Sequence, residues 1–424
     1  MINFEQAQKK LINLCQHWRT EIGLQSESRA LNSSVGFHLA QPIYAGVDLP
    51  GENLSAMDGY GLCVEGFKVA AKPHQTFSLC GESRAGEPYR GELLKANQCI
   101  RIMTGAVVPQ GVDRVVMQEN TELNDQGDLA LLQEVAAGSN IRQRGEEIRV
   151  GQKLFEKDQV ITASILPALA SQGIDRINTY RQLRVALFAT GDELRKAGDK
   201  LAVGDIYESN LQAIEALFQG LPIEIHNVGI IPDQPEAIRS CLQQASENYD
   251  VVISSGGVSV GDYDYVRDCV QTLGEVETYK VAMKPGKPLC FGTLGKPGNH
   301  RALFFGLPGN AVSSFVTLTE LFMPGIYTLL GEQHASAKLR LTAVLENRIR
   351  KKPGRLEFQR GILESKISEQ GVVNWSVTGL TGQDSHRVYQ LAKANCTIIL
   401  SEEIADVEAG SSVMVAPFPW CFNG

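Results

Sequence analysis

Apolar residues recur at helical spacing near the start of the chain. Phe4, Ala7, Leu11, Leu14 and Cys15 share one face, which predicts an amphipathic helix over roughly 3–20. From about 35 to 140 the texture changes to short apolar runs broken by Gly81, Gly86, Pro88, Gly91 and the run Asn124-Asp125-Gln126-Gly127, the spacing of strands joined by tight turns. Residues 163–172 before Gly173 predict a short helix with a glycine stop.

A third texture begins near 183. Residues 183–189 form a nearly continuous apolar strand, followed by Thr190-Gly191-Asp192-Glu193. Ser209 or Asn210 is placed to cap a helix over 211–218, which Gly220 ends. A strand at 223–228 leads through Pro232-Asp233 into a helix opened by Pro235, and 250–254 reads as a strand buried on both faces. A glycine-rich loop, a helix near 263–272, a strand at 302–305 and a long apolar helix from 311 complete the alternation. This rhythm predicts a parallel, doubly wound α/β domain at about 181–330. After Gly331 the alternation of strands returns at 338–344, 355–363, 372–378, 397–400 and 412–416, a small all-β domain.

The binding crevice of an open α/β sheet lies beyond the carboxyl ends of its strands. Thr190-Gly191-Asp192-Glu193, Asp233, the run 254–264 and Gly306-Leu307-Pro308-Gly309-Asn310 all leave such ends. Glycines next to a helix start let backbone N–H groups converge on an anion. Carboxylates in the same place repel that anion unless a divalent cation lies between. Glu193, Asp233 and Asp264 are therefore candidate Mg²⁺ ligands, since Mg²⁺ takes oxygen donors and shares them with phosphate. Lys280 and Lys284, interleaved with Pro285-Gly286-Lys287-Pro288, supply positive charge suited to an oxyanion. Gly257-Val258-Ser259-Val260-Gly261 also fits the G-x-S-x-G pattern of a hydrolase with Ser259 as nucleophile, for which Asp384 and His386 are the available downstream acid and base.

Composition narrows the classes further. With 40 Lys+Arg against 48 Asp+Glu the net charge is −8, so a nucleic-acid or anionic-membrane surface is not expected. No apolar run reaches the ~20 residues of a membrane span, and the first residues carry neither the basic nor the apolar region of a secretory signal. Nine scattered cysteines without a CxxC argue against a disulfide framework or zinc knuckle and for a reducing, cytoplasmic setting.

The run 254–264 together with 280–288 resembles the molybdenum-cofactor-binding domain shared by two late enzymes of that pathway. Ser55-Ala56-Met57-Asp58-Gly59-Tyr60, Arg101-Ile102-Met103-Thr104-Gly105-Ala106, and Asn140-Ile141-Arg142 with Gly145-Glu146-Glu147-Ile148 resemble the molybdopterin molybdenumtransferase family. So do Gly354-Arg355-Leu356-Glu357-Phe358-Gln359-Arg360 and Ser385-His386.

The resemblance implies a homodimer with four domains per chain. Segments 1–50 and 141–180 would form an elongated dimerisation domain interrupted by a β domain at 51–140. The α/β domain at 181–330 would bind the pterin, and a barrel-like β domain at 331–424 would close the chain. It further implies a site shared between subunits, with Asp58 and Thr104 reaching the α/β domain of the other subunit. The reaction implied is insertion of molybdate into adenylylated molybdopterin with Mg²⁺-dependent release of AMP. Asp58, Thr104, Glu193, Asp233 and Asp264 would be catalytic, the last three holding Mg²⁺. Arg142, Lys280, Lys284 and Arg360 would hold molybdate and phosphate by charge-assisted hydrogen bonds. Glu147, Ser259, Pro308 and Ser385 would complete the substrate contacts. The pterin dithiolene would supply the sulfur ligands of the metal. Transient contacts with the preceding adenylyltransferase and with molybdoenzyme apoproteins would follow.

Some positions depart from the family pattern. Glu147 replaces an aspartate, Ala311 replaces a proline, Glu208 stands for an aspartate in Tyr207-Glu208-Ser209-Asn210, and Arg114 stands where a small residue is usual. A related scaffold domain, that of gephyrin, supplies the non-enzymatic alternative of a binding module.

Overall fold

The computed structural model describes the chain except residues 67–68, 259–263, 296–300, 333–338, 368–370, 372 and 422–424. It divides into two compact units. One comprises Met1–Ala40, Asp158–Thr162 and Ile177–Gly424; the other comprises Gln41–Lys157 and Ala163–Arg176.

The second unit is built on a curled sheet. Its strands are β1 (Gly59–Cys63), β2 (Thr76–Ser83), β3 (Gln98–Ile102), β4 (Arg114–Met117), β5 (Thr121–Leu123) and β6 (Leu129–Leu131), in the order β4-β1-β3-β2-β6-β5. The register of β2 against β3 shifts between Leu79 and Glu82, a bulge that bends the strand. Alternate side chains fill two small cores, Leu62, Phe77, Cys99 and Val116 in one and Ile100, Ile102 and Val115 in the other. Arg114, the first residue of β4, has no exposed surface. Its Nε donates to Asp113 at 3.0 Å, and its Nη1 donates to the carbonyls of Val69 and Val135, each at 2.8 Å. The residue that departs from the family pattern is thus a buried tie between three segments.

The first unit contains the doubly wound sheet. Helix α1 (Phe4–Glu21) opens with a capping box between Asn3 and Gln6, and it buries Phe4, Ala7, Leu11 and Cys15 as the spacing predicts, with Trp18 in addition and Leu14 only half-buried. The strands and helices that follow are β7 (Leu183–Thr190), α2 (Asn210–Phe218), β8 (Ile223–Ile231), α3 (Pro235–Asn248), β9 (Val251–Ser255), α4 (Tyr265–Leu273), β10 (Gly274–Lys280), β11 (Pro288–Leu294) and β12 (Ala302–Leu307). Their order is β8-β7-β9-β12-β11-β10. The first four run parallel, whereas β11 and β10 form an antiparallel edge, a correction to the all-parallel expectation. Only a short turn region joins β10 to β11, and a crossover helix cannot fit there.

Both faces of the central strands β7, β9 and β12 are dry, whereas the edge strand β8 is largely exposed. Leu183, Val185, Leu187, Val251, Ile253, Leu303 and Phe305 pack towards α1, α2 and the helical run 311–330. Ala186, Phe188, Val252 and Phe304 pack towards α3 and α4. The long apolar helix expected from 311 is interrupted: Ala311–Val316 and Met323–Leu330 are α-helical, and Thr317–Phe322 between them is a π turn. A Cβ at Gly325 would stand 2.9 Å from Cys15 Sγ, so glycine lets this helix approach α1 closely.

The chain ends in a closed five-strand barrel. Strands β13 (Leu341–Leu345), β14 (Leu356–Ile367), β15 (Val373–Gly379), β16 (Cys396–Leu400) and β17 (Ser412–Pro417) pair in the ring β14-β15-β13-β17-β16, with β16 returning to β14. The two-residue strand Met283–Lys284 pairs parallel with Leu356 and Glu357 of β14. All nine cysteines are free thiols. No helix among the described residues is long and apolar enough to cross a membrane.

Breaking a buried ion pair by removing one partner typically costs about 3–5 kcal/mol. Arg114→Ala should lower the unfolding free energy of the second unit by that amount, read as a shifted urea midpoint. An unchanged midpoint would contradict the structural role given to Arg114.

Candidate functional site

Strand β7 continues through α2 to β8 on one side, and β9 lies on its other side, so the chain leaves the adjacent ends of β7 and β9 in opposite directions. A cavity of about 410 Å³ opens there. Thr190, Gly191, Glu193, Asp233, Gly256, Gly257, Asp264, Pro308 and Gly309 are among its walls. The four loops singled out by sequence therefore meet. Gly257 has φ +68°, and a Cβ there would lie 2.4 Å from Val266 Cγ2, so only glycine turns this loop against α4.

The acids are unevenly compensated. Burial, with Asp192 and Glu193 nearby, raises the Asp233 carboxyl above its usual range. The Thr190 hydroxyl opposes that shift weakly but makes no hydrogen bond of ordinary geometry. The backbone N–H of Asp233 donates to Asp192 Oδ1 at 3.1 Å, which fixes the two loops together. The opposite end of the same sheet shows the contrast. Burial also works against the charge of Asp250, yet Arg181 and the Arg184 backbone N–H hold its carboxyl below the usual range. One carboxylate is neutralised by its own fold and the other is not.

Among the described residues no three His, Cys, Asp or Glu side chains converge as a ready metal site. Glu193, Asp233 and Asp264 nevertheless line one cavity, and the raised Asp233 marks a deficit of positive charge. This donor set fits a divalent cation whose remaining ligands come from phosphate oxygens or water.

The basic residues occupy several positions. Lys280 is exposed and stands opposite Pro288, a cavity wall, in the β10–β11 register. Lys284 is also exposed, with Nζ 3.4 Å from the buried Glu357, itself held by Gln359. Arg360 has no exposed surface, and burial lowers its pKa. Its Nη2 donates to the carbonyls of Gly382 and Asp384, while Nε and Nη1 find no acceptor among the described residues. Ser385, half-buried, follows Asp384 in that loop. Ser259 lies outside the described residues.

In the second unit Asp58 and Thr104 come together directly. Asp58 Oδ1 accepts from the Thr104 backbone N–H at 2.7 Å and from its hydroxyl at 2.8 Å, which holds Asp58 below the usual carboxylate range. Arg142 is exposed on a two-residue strand paired with Leu54–Ser55, and Glu147 is exposed in the loop beyond.

Two groups carry more than the sequence reading gave them. Glu208, not Ser209 or Asn210, caps α2: its Oε1 accepts from the backbone N–H groups of Asn210 and Leu211 at 2.6 and 3.0 Å. The carboxylate takes over because it reaches two N–H groups at the positive end of the helix. Asn210 is thereby released for other contacts, described below. Glu357 was visible only as part of a motif, since its partner lies far away in sequence.

Residues 2–173 match the family model of the MoeA N-terminal region (domain I and II), 186–328 the probable molybdopterin binding domain, and 342–418 the MoeA C-terminal region (domain IV). The molybdopterin molybdenumtransferase of Haemophilus influenzae is 35% identical over 418 residues, 99% of each chain. Gephyrin of Dictyostelium discoideum is 29% identical over 97% of this chain and 62% of its own. The crystal structure of a molybdopterin biosynthesis moeA protein from Pyrococcus horikoshii shares the fold, with TM-score 0.78 at 20% identity over 99% of this chain and 100% of its own. The chain belongs to the molybdopterin molybdenumtransferase family and is a transferase of molybdenum cofactor biosynthesis.

A carboxyl raised by folding binds its proton more tightly in the native state, so stability falls as pH rises through the unfolded and then the native pKa. Asp233→Asn should therefore raise Tm at neutral pH in metal-free buffer. The gain should shrink below about pH 4, where an ordinary carboxyl is protonated. Thermal melts across that range check both the sign and the pH dependence.

Proposed function

We propose that this enzyme inserts molybdate into adenylylated molybdopterin and releases AMP in a Mg²⁺-dependent step. The observation that carries this reading is the cavity at the ends of β7 and β9, where glycine loops suited to phosphate meet Glu193, Asp264 and the under-neutralised Asp233. Bound Mg²⁺ would offset the charge of the pyrophosphate and of the departing AMP. Glu193, Asp233 and Asp264 would orient that ion, directly or through water. The backbone of the Gly257 turn, with Pro308 and Gly309 opposite, would hold the pterin phosphates in line with the reacting bond.

Lys280, Lys284, Arg142 and Arg360 are the oxyanion-binding set in this reading, with Glu147, Ser259 and Ser385 as further contacts. The two unpaired guanidinium nitrogens of Arg360 support its part, because a buried cation with idle donors favours an anion beside it. The enzyme acts as a homodimer in the cytoplasm, Asp58 of one subunit facing the crevice of the other. Thr104 keeps Asp58 ionised and oriented, which suits a carboxylate that contacts a reacting group. The four domains are those set out from the sequence, with the barrel as the fourth. A scaffold role alone would leave the acids that line the cavity without a use.

Incubation of the purified enzyme with adenylylated molybdopterin, Mg²⁺ and molybdate should release AMP. Asp264→Ala and Asp58→Ala should each lower that rate by roughly 100-fold or more while the protein stays folded. Release that proceeds equally well without molybdate would overturn the assignment.

A further inference from the structure

Asn210 is the first residue of α2 and is 8% exposed. With its backbone N–H satisfied by Glu208, its side-chain amide points across the sheet end. Nδ2 donates to Ser255 Oγ at 2.8 Å and to the carbonyl of Gly309 at 2.7 Å. Ser255 ends β9 immediately before Gly256 and Gly257, and Gly309 follows β12. All three glycines line the cavity. Both amide protons of one side chain are thus spent on two loops that have no sequence neighbourhood in common.

We infer that Asn210 is a positioning residue that sets the spacing between the 256–257 glycine loop and the Pro308–Gly309 loop, and so fixes the cradle for the phosphates of the pterin nucleotide. The inference rests on the reading of the cavity given above. A single NH₂ group with two acceptors in fixed directions behaves as a strut. It holds the loops before ligand arrives, so ordering them is not charged against binding. The Gly256 backbone N–H donates to the Leu307 carbonyl at 3.0 Å, a second link between the same two strand ends. Asn210 lies outside the proposed chemistry, and its effect is on affinity rather than on the reacting bond.

Asn210→Asp is nearly isosteric but replaces the donor by a carboxylate, which repels the Gly309 carbonyl. Affinity for adenylylated molybdopterin, read by calorimetry with the full-length enzyme and no molybdate, should weaken about tenfold, the value of one to two hydrogen bonds. In turnover the KM should rise to match, with kcat for AMP release changed less than about threefold. Ser255→Ala cuts one arm of the strut and should weaken binding by a smaller factor, which keeps the test open if the aspartate variant does not fold. Combining Asn210→Ala with Ser255→Ala should cost less than the sum of the two single changes.

Native affinity in a folded Asn210→Asp variant, or in Ser255→Ala where that variant does not fold, overturns the inference. A fall in kcat at unchanged affinity overturns it as well. If the native enzyme binds the pterin nucleotide but shows no molybdate-dependent AMP release, the proposed function fails while calorimetry still decides the role of Asn210.

Discussion

Leu183, Val185 and Leu187 are buried on one face of β7, and Ala186 and Phe188 on the other, with β9 and β12 following the same pattern. No face of these three central strands is left to water. Polar chemistry is then confined to the places where the strands stop and the backbone turns, because buried polar groups elsewhere would need partners that an apolar core lacks. At one end that demand is met internally by Asp250 with Arg181. At the other it is left partly open, where burial and the nearby acids raise the Asp233 carboxyl above its usual range. The dry sheet decides both where the cavity lies and how unfinished its electrostatics remain.

The cavity is built by residues whose duty is to each other. Glu208 caps α2 and so frees the Asn210 amide. Gly257 yields space to Val266, and the Asp233 N–H anchors on Asp192. Glu357, buried on the barrel strand, pairs with Lys284, whose own short strand is stitched to the same barrel strand. The barrel thereby takes part in placing a lysine that belongs in sequence to the α/β domain.

Much of this architecture is legible in the sequence because period and punctuation act locally. The apolar spacing of α1, the continuous apolar strands of the central sheet and the glycines after them need no distant partner to be recognised. The acids Glu193, Asp233 and Asp264 were legible as a group for the same reason, since each follows a strand end or opens a helix. The remainder depends on tertiary choice. Whether Glu208 or Ser209 caps α2 turns on what Asn210 finds across the sheet. Arg114 reads as an oddity until Val69 and Val135 bring their carbonyls to it. The antiparallel edge pair follows from the length of the turn, which apolar content does not report. Arg360 stands in sequence as an oxyanion-binding residue, and its complete burial, with Nη2 donating to the carbonyls of Gly382 and Asp384, is set by tertiary contacts.

The π turn at Thr317–Phe322 joins two helical segments with separate obligations. Ser313 before it lines the cavity, and Gly325 after it lies against Cys15 of α1. Each residue of an α-helix advances the direction of its side chain by about 100°. A π turn accommodates one residue more than the regular helix would, so it resets the angular phase between the two segments. It works as a coupling whose setting is counted in residues. Wound as an uninterrupted α-helix, the same residues would turn one segment's face about 100° away from its partner. For this helix the local i→i+5 turn is therefore as strict a requirement as composition, because it lets one sequence meet the cavity and α1 together.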